Sequence, residues 1–146
     1  MAINYSVSGK YKNQEAVHIY ICNIFKALKI DRLSTKNIDI EFTSRLDGES
    51  LGFCIGDKSE ASIQIAKKSF EEKLSFLTQM QTLAHELTHA KQFLRGELGY
   101  DDNGSFTWKN RLGKGYKYKN QPWEKEAQKY EKLLFLECFP FHIDIR

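Results

Sequence analysis

The spacing of apolar residues changes along the chain between the period of a helix and the period of a strand. Each change of spacing marks the start of another predicted element. Residues 1–12 are mostly polar and predict a short strand or an irregular segment. From Asn13, a suitable N-cap, apolar residues recur at helical spacing and predict one buried helical stripe. That stripe consists of Val17, Ile21, Ile24, Phe25 and Leu28.

The next segments alternate with the period of a strand. Residues 38–46 are typical of a half-buried strand, and Asp47–Gly48 is a tight-turn signal. A second strand is predicted through residues 51–55 and a third over residues 61–66. Together they predict a small antiparallel meander. Residues 61–66 are its candidate exposed edge, where an extended peptide can add as a further strand.

Helical periodicity returns from Leu74 to about Arg95, and Gly96 is a suitable stop. Residues 97–121 are rich in glycine and aromatic residues and predict a β-ribbon, with Gly113–Gly115 between the pairs Phe106/Trp108 and Tyr116/Tyr118. A last helix is predicted over residues 122–136, followed by an apolar tail that packs back on the body. The elements predict an α+β fold.

The composition limits the class of protein but does not indicate a reaction. A chain of 146 residues with 41% hydrophobic and 28% charged residues fits one globular domain, here residues 1–146. No apolar run approaches the roughly 20 residues of a membrane span, and the N-terminus lacks a signal-peptide pattern. We therefore expect a cytoplasmic protein without membrane contact. Its three cysteines, Cys22, Cys54 and Cys138, are expected to be reduced and mostly buried.

The candidate chemistry lies in the long helix, where residues 85–89 have the pattern H-E-x-x-H. Residues four apart lie on one face of a helix, so His85 and His89 can bind one metal ion. Glu86 then lies beside the position of a metal-bound water and can act as its general base. The pattern predicts a zinc site for hydrolysis, with Gln92 as a candidate hydrogen-bonding partner of a ligand.

A catalytic zinc ion usually takes a third protein ligand. The last helix opens with Glu124 and Glu126, 35 and 37 residues after His89. Acidic residues in a first helical turn also favour the helix dipole, but the two histidines make a ligand role the better explanation. Either glutamate can be that ligand on this reasoning.

Three blocks of the chain together resemble a family of metallopeptidases. The blocks are His85 to Gln92, Trp108–Lys109 and Pro122 to Ala127, within residues 75–135. H-E-x-x-H followed by a helix that bears a glutamate resembles the gluzincins, the thermolysin-like zinc peptidases. The short spacing and small size resemble the single-domain minigluzincin or SprT-like proteases, and the three blocks together resemble small metallopeptidases found largely in phage genomes.

This resemblance implies a zincin-like single domain that hydrolyses peptide bonds with zinc. In gluzincins the ligand is the first glutamate of an E-x-x-x-D pattern, which implies Glu124 as the ligand, with Glu126 as the second choice. The pattern's aspartate supports a histidine ligand, and Gln128 takes that position here. Gln128 departs from the pattern, because a neutral amide does not raise the basicity of a ligand as a carboxylate does.

Three functional questions stay open at this point. The oxyanion of peptide hydrolysis needs a donor, and Tyr116, Tyr118 or Arg111 on the ribbon can supply it. The ribbon also carries five basic residues within 109–119, which suit a solvated face or, alternatively, nucleic acid that guides the protease. A zinc-binding or peptide-binding protein without turnover is the remaining alternative, although a structural site has no need of Glu86.

Overall fold

A computed structural model of the chain describes residues 1–145, in which three α-helices combine with three β-sheets in an α+β arrangement. The helices are α1 (Gln14–Ala27), α2 (Phe76–Leu94) and α3 (Pro122–Cys138). The strands are β1 (Asn4–Ser8), β2 (Asn37–Thr43), β3 (Gly52–Gly56), β4 (Glu60–Ala66), β5 (Lys68–Ser69), β6 (Glu72–Lys73), β7 (Leu98–Tyr100), β8 (Phe106–Trp108) and β9 (Arg111–Leu112). The α+β class is therefore confirmed.

The main sheet has the strand order β1-β2-β4-β3, so the predicted antiparallel meander is wrong. β2 pairs in parallel with β1 and with β4, and only β3 runs antiparallel, along the outer side of β4. Burial explains the order, because the inner faces of β2 and β4 carry large side chains that are fully covered. The inner face of β3 carries only Gly52, Cys54 and Gly56. These small residues have little apolar surface to bury, so an edge position costs them little free energy.

The edge strands are therefore β1 and β3, and not residues 61–66 as predicted; β3 is the edge that packs beside α2. β4 is flanked on both sides, by β2 and β3, and offers no free edge to a peptide. Asp47–Glu49 forms a short 3-10 helix instead of the tight hairpin turn that Asp47–Gly48 suggested. This longer connection leads the chain from β2, past the position that β4 occupies in the sheet, to β3 at the edge.

α2 is the central helix and packs against α3, β3 and β4. The Ser75 side chain caps its N-terminus by accepting the Thr78 N–H, and Gly96 ends it with a φ of 73°. Buried residues of α1, α2 and the sheet form one core, to which Phe139 of the tail adds. The buried Tyr20 hydroxyl ties α1 to α2 by donating to the Met80 carbonyl at 2.8 Å.

The ribbon differs from its prediction in pairing. β8 pairs with β7 on one side and with β9 on the other, and a turn at Lys109–Asn110 joins β8 to β9. Tyr116 and Tyr118 are therefore not its strand partners. Gly113 is not a turn residue; its Cα lies against the Trp123 ring, where a Cβ would approach Cη2 to 2.9 Å. The cysteines are free, but only Cys138 is fully buried. Within residues 1–145 no helix has the length and apolar character to cross a membrane.

Candidate metal centre

Two helices bring the candidate ligands together. His85 and His89 lie one turn apart on α2, with ring centroids 5.0 Å apart. α3 begins at Pro122, whose missing N–H suits a first helical turn. The next residue, Trp123, is buried with Phe93 of α2 and Leu98. This anchor holds the first turn of α3 against α2, and Glu124 faces the two histidines.

The Glu124 carboxylate bridges both imidazoles. Its Oε1 lies 3.0 Å from Nε2 of His85, and its Oε2 lies 3.0 Å from Nε2 of His89. One nitrogen or oxygen from each of the three residues lies within 4.8 Å of the others. All three side chains are largely shielded from solvent. The structure thus gathers a His-His-Glu group that can hold a metal ion.

The charges in this group support one another. Burial opposes the charge of Glu124, but hydrogen bonds from His85 and His89 outweigh it and lower the pKa of the carboxyl to about 2. Burial likewise opposes a cation at His89, yet the hydrogen bond and charge of Glu124 raise the pKa of this imidazole above its ordinary value. In the absence of a metal ion, the Glu124 carboxylate therefore favours the protonated form of His89.

The spacing of the donors fits a small divalent ion. Ligands about 2.0–2.1 Å from a tetrahedral zinc ion lie about 3.3 Å from one another. The nitrogen-to-oxygen distances of 3.0 Å, one to each oxygen of Glu124, and the limit of 4.8 Å on the separation of the three ligand atoms bracket that value. Two imidazoles and one carboxylate are a donor set that suits zinc and related transition metals.

The hydrogen-bond partners of the ligands fix their orientation. Nδ1 of His89 lies 2.8 Å from Oε1 of Gln92, which accepts its proton and leaves Nε2 facing Glu124. The buried Gln92 amide in turn donates to the Trp123 carbonyl at 3.0 Å. Gln92 therefore links the histidine of α2 to the start of α3, in the position predicted from its spacing.

The corresponding support for His85 differs from the prediction. Gln128 is exposed and does not lie in the His-His-Glu group. Oε1 of Glu131 lies 3.8 Å from Nδ1 of His85 instead. Glu131 follows Glu124 by two helical turns, which puts both on one face of α3. The E-x-x-x-D pattern points one turn after the ligand and so does not indicate Glu131, although its seven-residue spacing from Glu124 is visible in the sequence.

Glu126, the second choice for the ligand, points elsewhere. Its Oε1 pairs with Nζ of Lys91 at 3.0 Å and lies 3.2 Å from Nε2 of Gln92. Lys91 also pairs with Glu97 at 2.8 Å, so Glu126 belongs to an ion-pair cluster beside the site. The His-His-Glu group contains Glu124 and not Glu126.

Glu86 lies buried beside the group and lines a cleft of about 300 Å³. Burial raises the pKa of Glu86 above its ordinary value, although the neighbouring His89 and His85 pull it down. The cleft is bounded on one side by Gly52, Phe53 and Cys54 of β3. The general-base candidate therefore faces both the ligand group and the exposed sheet edge.

The three candidate oxyanion donors separate in space. The Tyr118 hydroxyl donates to Oε1 of Glu124 at 3.1 Å and lies in the cleft. Burial and the charge of Glu124 raise the pKa of Tyr118 to about 12, so it stays a donor at neutral pH. Tyr116 contacts the edge of the Trp123 ring, and Arg111 is exposed on β9. Only Tyr118 of the three reaches the ligand group.

The basic residues predicted on the ribbon are Lys109, Arg111, Lys114, Lys117 and Lys119, and all five are exposed. Their exposure agrees with the solvated face, and the nucleic-acid alternative stays a prediction.

Comparison with known proteins adds no family: no family model matches the chain, and no curated protein matches it.

Proposed function

We propose that this protein is a zinc-dependent peptidase of the gluzincin type that its motifs resemble. One observation carries the proposal: a His-His-Glu group lies beside a buried glutamate in a cleft that opens along the edge strand β3. A metal site that only stabilises the fold needs no base and no cleft. Glu86 and the cleft therefore favour hydrolysis over a structural metal site.

The residues of the site have separate roles in this proposal. His85, His89 and Glu124 would hold the ion. When bound, zinc supplies Lewis-acid polarisation of a water molecule and of the scissile carbonyl. Glu86 accepts the proton of the attacking water at its carboxylate and passes it to the leaving amine. Its raised pKa suits both steps, because the carboxyl is a stronger base than an exposed glutamate.

The backbone of β3 supports an extended peptide as the substrate. The Ala66 N–H donates to the Leu51 carbonyl and the Asp57 N–H to the Glu60 carbonyl, each at 2.9 Å. These bonds mark the hydrogen-bonded pairs of β3 with β4, so the intervening Gly52, Cys54 and Gly56 direct their N–H and C=O groups outward. A peptide strand can pair with those groups and lie across the cleft.

The Glu86→Gln variant tests the proposal. The amide keeps the size of the side chain and removes its basicity, so we expect peptide hydrolysis to fall by a factor of about 100 or more. Bound zinc should stay at one equivalent, because Glu86 is not a ligand. The assay uses a mixed library of peptides with the zinc-loaded protein, and zinc is measured by atomic spectroscopy.

Two outcomes would contradict the proposal. If both proteins bind zinc and neither cleaves any peptide of the library, the protein binds metal without turnover. If the variant cleaves as fast as the wild type, Glu86 is not the base. A Glu126→Gln variant is the matched control, since the same change outside the ligand group should leave the cleavage rate close to that of the wild type.

A further inference from the structure

A second cavity lies at the N-terminal end of α2, where Phe76, Gln79 and Met80 form part of its wall. Its volume is about 440 Å³, within the range of small-molecule sites. None of the residues of the His-His-Glu group lines it. The peptidase proposal makes no use of this cavity, and its lining has a chemistry of its own.

The rim of the cavity is strongly basic. Five lysines and no acidic residue line it: Lys10, Lys12, Lys67, Lys68 and Lys73. Lys67 donates to the Lys10 carbonyl at 2.9 Å, and the other four form no ion pair with any described residue. Of the two acids on the same hairpin, Glu71 is paired with Arg45, and Glu72, next to Lys73 on β6, forms no ion pair with a described residue. The positive charge around the cavity is thus largely uncompensated.

Two of these lysines lie directly opposite each other. Lys68 of β5 and Lys73 of β6 are partners in an antiparallel ladder of only two residue pairs. Side chains at opposed positions come close, and like charges there destabilise the pair. A bound anion between them removes that repulsion. A simple solvated surface gains nothing from this placement, whereas an anion site does.

The inner wall of the cavity is apolar and ordered. The Tyr11 ring stacks on Phe42 with centroids 4.9 Å apart and an interplanar angle of 18°. The Tyr11 hydroxyl lies 3.0 Å from Nε2 of His18, which holds the ring in place. Leu74 and Phe76 complete the wall with Met80. A ligand that fills the cavity therefore meets apolar surface on the inside and ammonium groups at the mouth.

We propose that this cavity binds a small organic phosphate whose uncharged part is apolar. Several convergent lysines favour a group with more than one negative charge, and phosphate is such a group near neutral pH. The apolar wall favours a body that leaves water on binding. The body is either a flat ring on Tyr11 or an aliphatic chain along Leu74 and Phe76, and the experiment distinguishes the two.

Calorimetric titration of the whole protein with four probes tests the proposal. The probes are phenyl phosphate, hexyl phosphate, inorganic phosphate and phenol. We expect phenyl phosphate or hexyl phosphate to bind at least about tenfold more tightly than inorganic phosphate and than phenol, because only an organic phosphate uses both the rim and the wall. The tighter of the two identifies the body as aromatic or aliphatic.

Lysine variants locate the binding, which is necessary because phosphate oxygens also bind metal ions. The double variant Lys68→Ala/Lys73→Ala should weaken the organic phosphate at least about tenfold. Lys26→Ala/Lys132→Ala, which removes the same charge from exposed helix positions outside the cavity, should leave its affinity unchanged. The side chains of both pairs form no ion pair with a described residue, and melting curves verify that both variants fold.

Three results would overturn the proposal. The first is an organic phosphate that binds no more tightly than inorganic phosphate, which reduces the site to unspecific positive charge. The second is an unchanged affinity in the Lys68→Ala/Lys73→Ala variant. The third is an acidic peptide that binds through the same lysines while neither small phosphate does. A loss of peptidase activity has no bearing on these results, because the substituted lysines lie outside the metal centre and the readout is the affinity of the probe.

Discussion

The backbone of Gly52 lies directly against the side chain of Glu86. A Cβ atom at residue 52 would lie 3.0 Å from Cγ and 3.0 Å from Oε2 of Glu86, and 2.6 Å from Cγ2 of Thr82. Glycine is therefore what allows the edge strand β3 to approach α2 at the general-base candidate. The width of the cleft and the position of the carboxylate depend on one missing side chain.

The Gly52→Ala variant should displace Glu86 while leaving the ligand group intact. We expect kcat/KM for peptide cleavage to fall by a factor of about 10 to 100, because small misplacements of a catalytic group have effects of that size. Bound zinc should equal that of the wild type. Gly99→Ala on β7 is the control, since its Cβ would meet only the Thr107 hydroxyl, at 3.2 Å. Equal activity of Gly52→Ala and the wild type would contradict this role.

Local signals in the sequence were sufficient to predict the two helices that carry the candidate ligands, α2 and α3. The spacing of His85 and His89, the stop at Gly96 and Pro122 at the start of α3 each act within one or two helical turns. The structure confirms α2 and α3 within two residues of their predicted bounds. Glu124 rather than Glu126 faces the histidines because Trp123 is buried and sets the rotation of the helix, which no periodicity reports directly.

The order of the strands in the sheet could not be predicted from such local signals. Alternation identifies a strand and its inner face, but the neighbour of a strand depends on the whole core. β2 and β3 follow each other in sequence, yet β4 lies between them because its inner residues Ile63 and Ile65 require cover on both sides. The small residues of β3 were the available signal: Gly52, Cys54 and Gly56 bury little and suit an edge.

Glu124 and Glu126 should differ sharply in metal binding. Glu124→Gln removes the only carboxylate of the ligand group, so we expect zinc affinity to fall by a factor of about 100 or more in competition with a fluorescent chelator. Glu126→Gln should keep zinc affinity within a few-fold. Its partly exposed pair with Lys91 is worth about 0–1 kcal/mol of unfolding free energy. The opposite order of the two affinities would identify Glu126 as the ligand.

Glu131 should support His85 in place of Gln128. Its carboxylate lies 3.8 Å from Nδ1 of His85 and can orient the ring. We expect Glu131→Gln to weaken zinc binding by a factor of about 10, the lower end of effects at such partners. Gln128→Ala should leave zinc affinity unchanged, because Gln128 is exposed. If Gln128→Ala weakens zinc and Glu131→Gln does not, the contact with Glu131 has no role.

Zinc should stabilise the protein more as the pH rises from about 5.5 to 8. Glu124 raises the pKa of His89 in the metal-free protein, so protonation of His89 stabilises that form below about pH 6.5 and is lost as the pH passes the raised pKa. Zinc needs the neutral ring and competes with this proton. Glu124, with a pKa of about 2, stays ionised over the whole range.

The measurement is the rise in Tm on addition of zinc at each pH. His89→Ala should show a small rise at every pH, while replacement of the exposed His142 by alanine should reproduce the wild-type curve. A zinc-dependent rise in Tm that is flat, or that decreases with increasing pH, would show that His89 is not a ligand.

Tyr118 should act on the rate of peptide cleavage rather than on metal binding. Its hydroxyl lies 3.1 Å from Oε1 of Glu124, and its pKa of about 12 keeps the proton available to a developing oxyanion. We expect Tyr118→Phe to lower kcat by a factor of about 100 with KM and zinc affinity within a few-fold of the wild type. Tyr116→Phe is the matched control, because the Tyr116 ring lies against Trp123 and its variant should cleave at the wild-type rate. Equal rates for Tyr118→Phe and Tyr116→Phe would assign the oxyanion donor to another group, and a loss of zinc in Tyr118→Phe would make its hydroxyl a support of Glu124 instead.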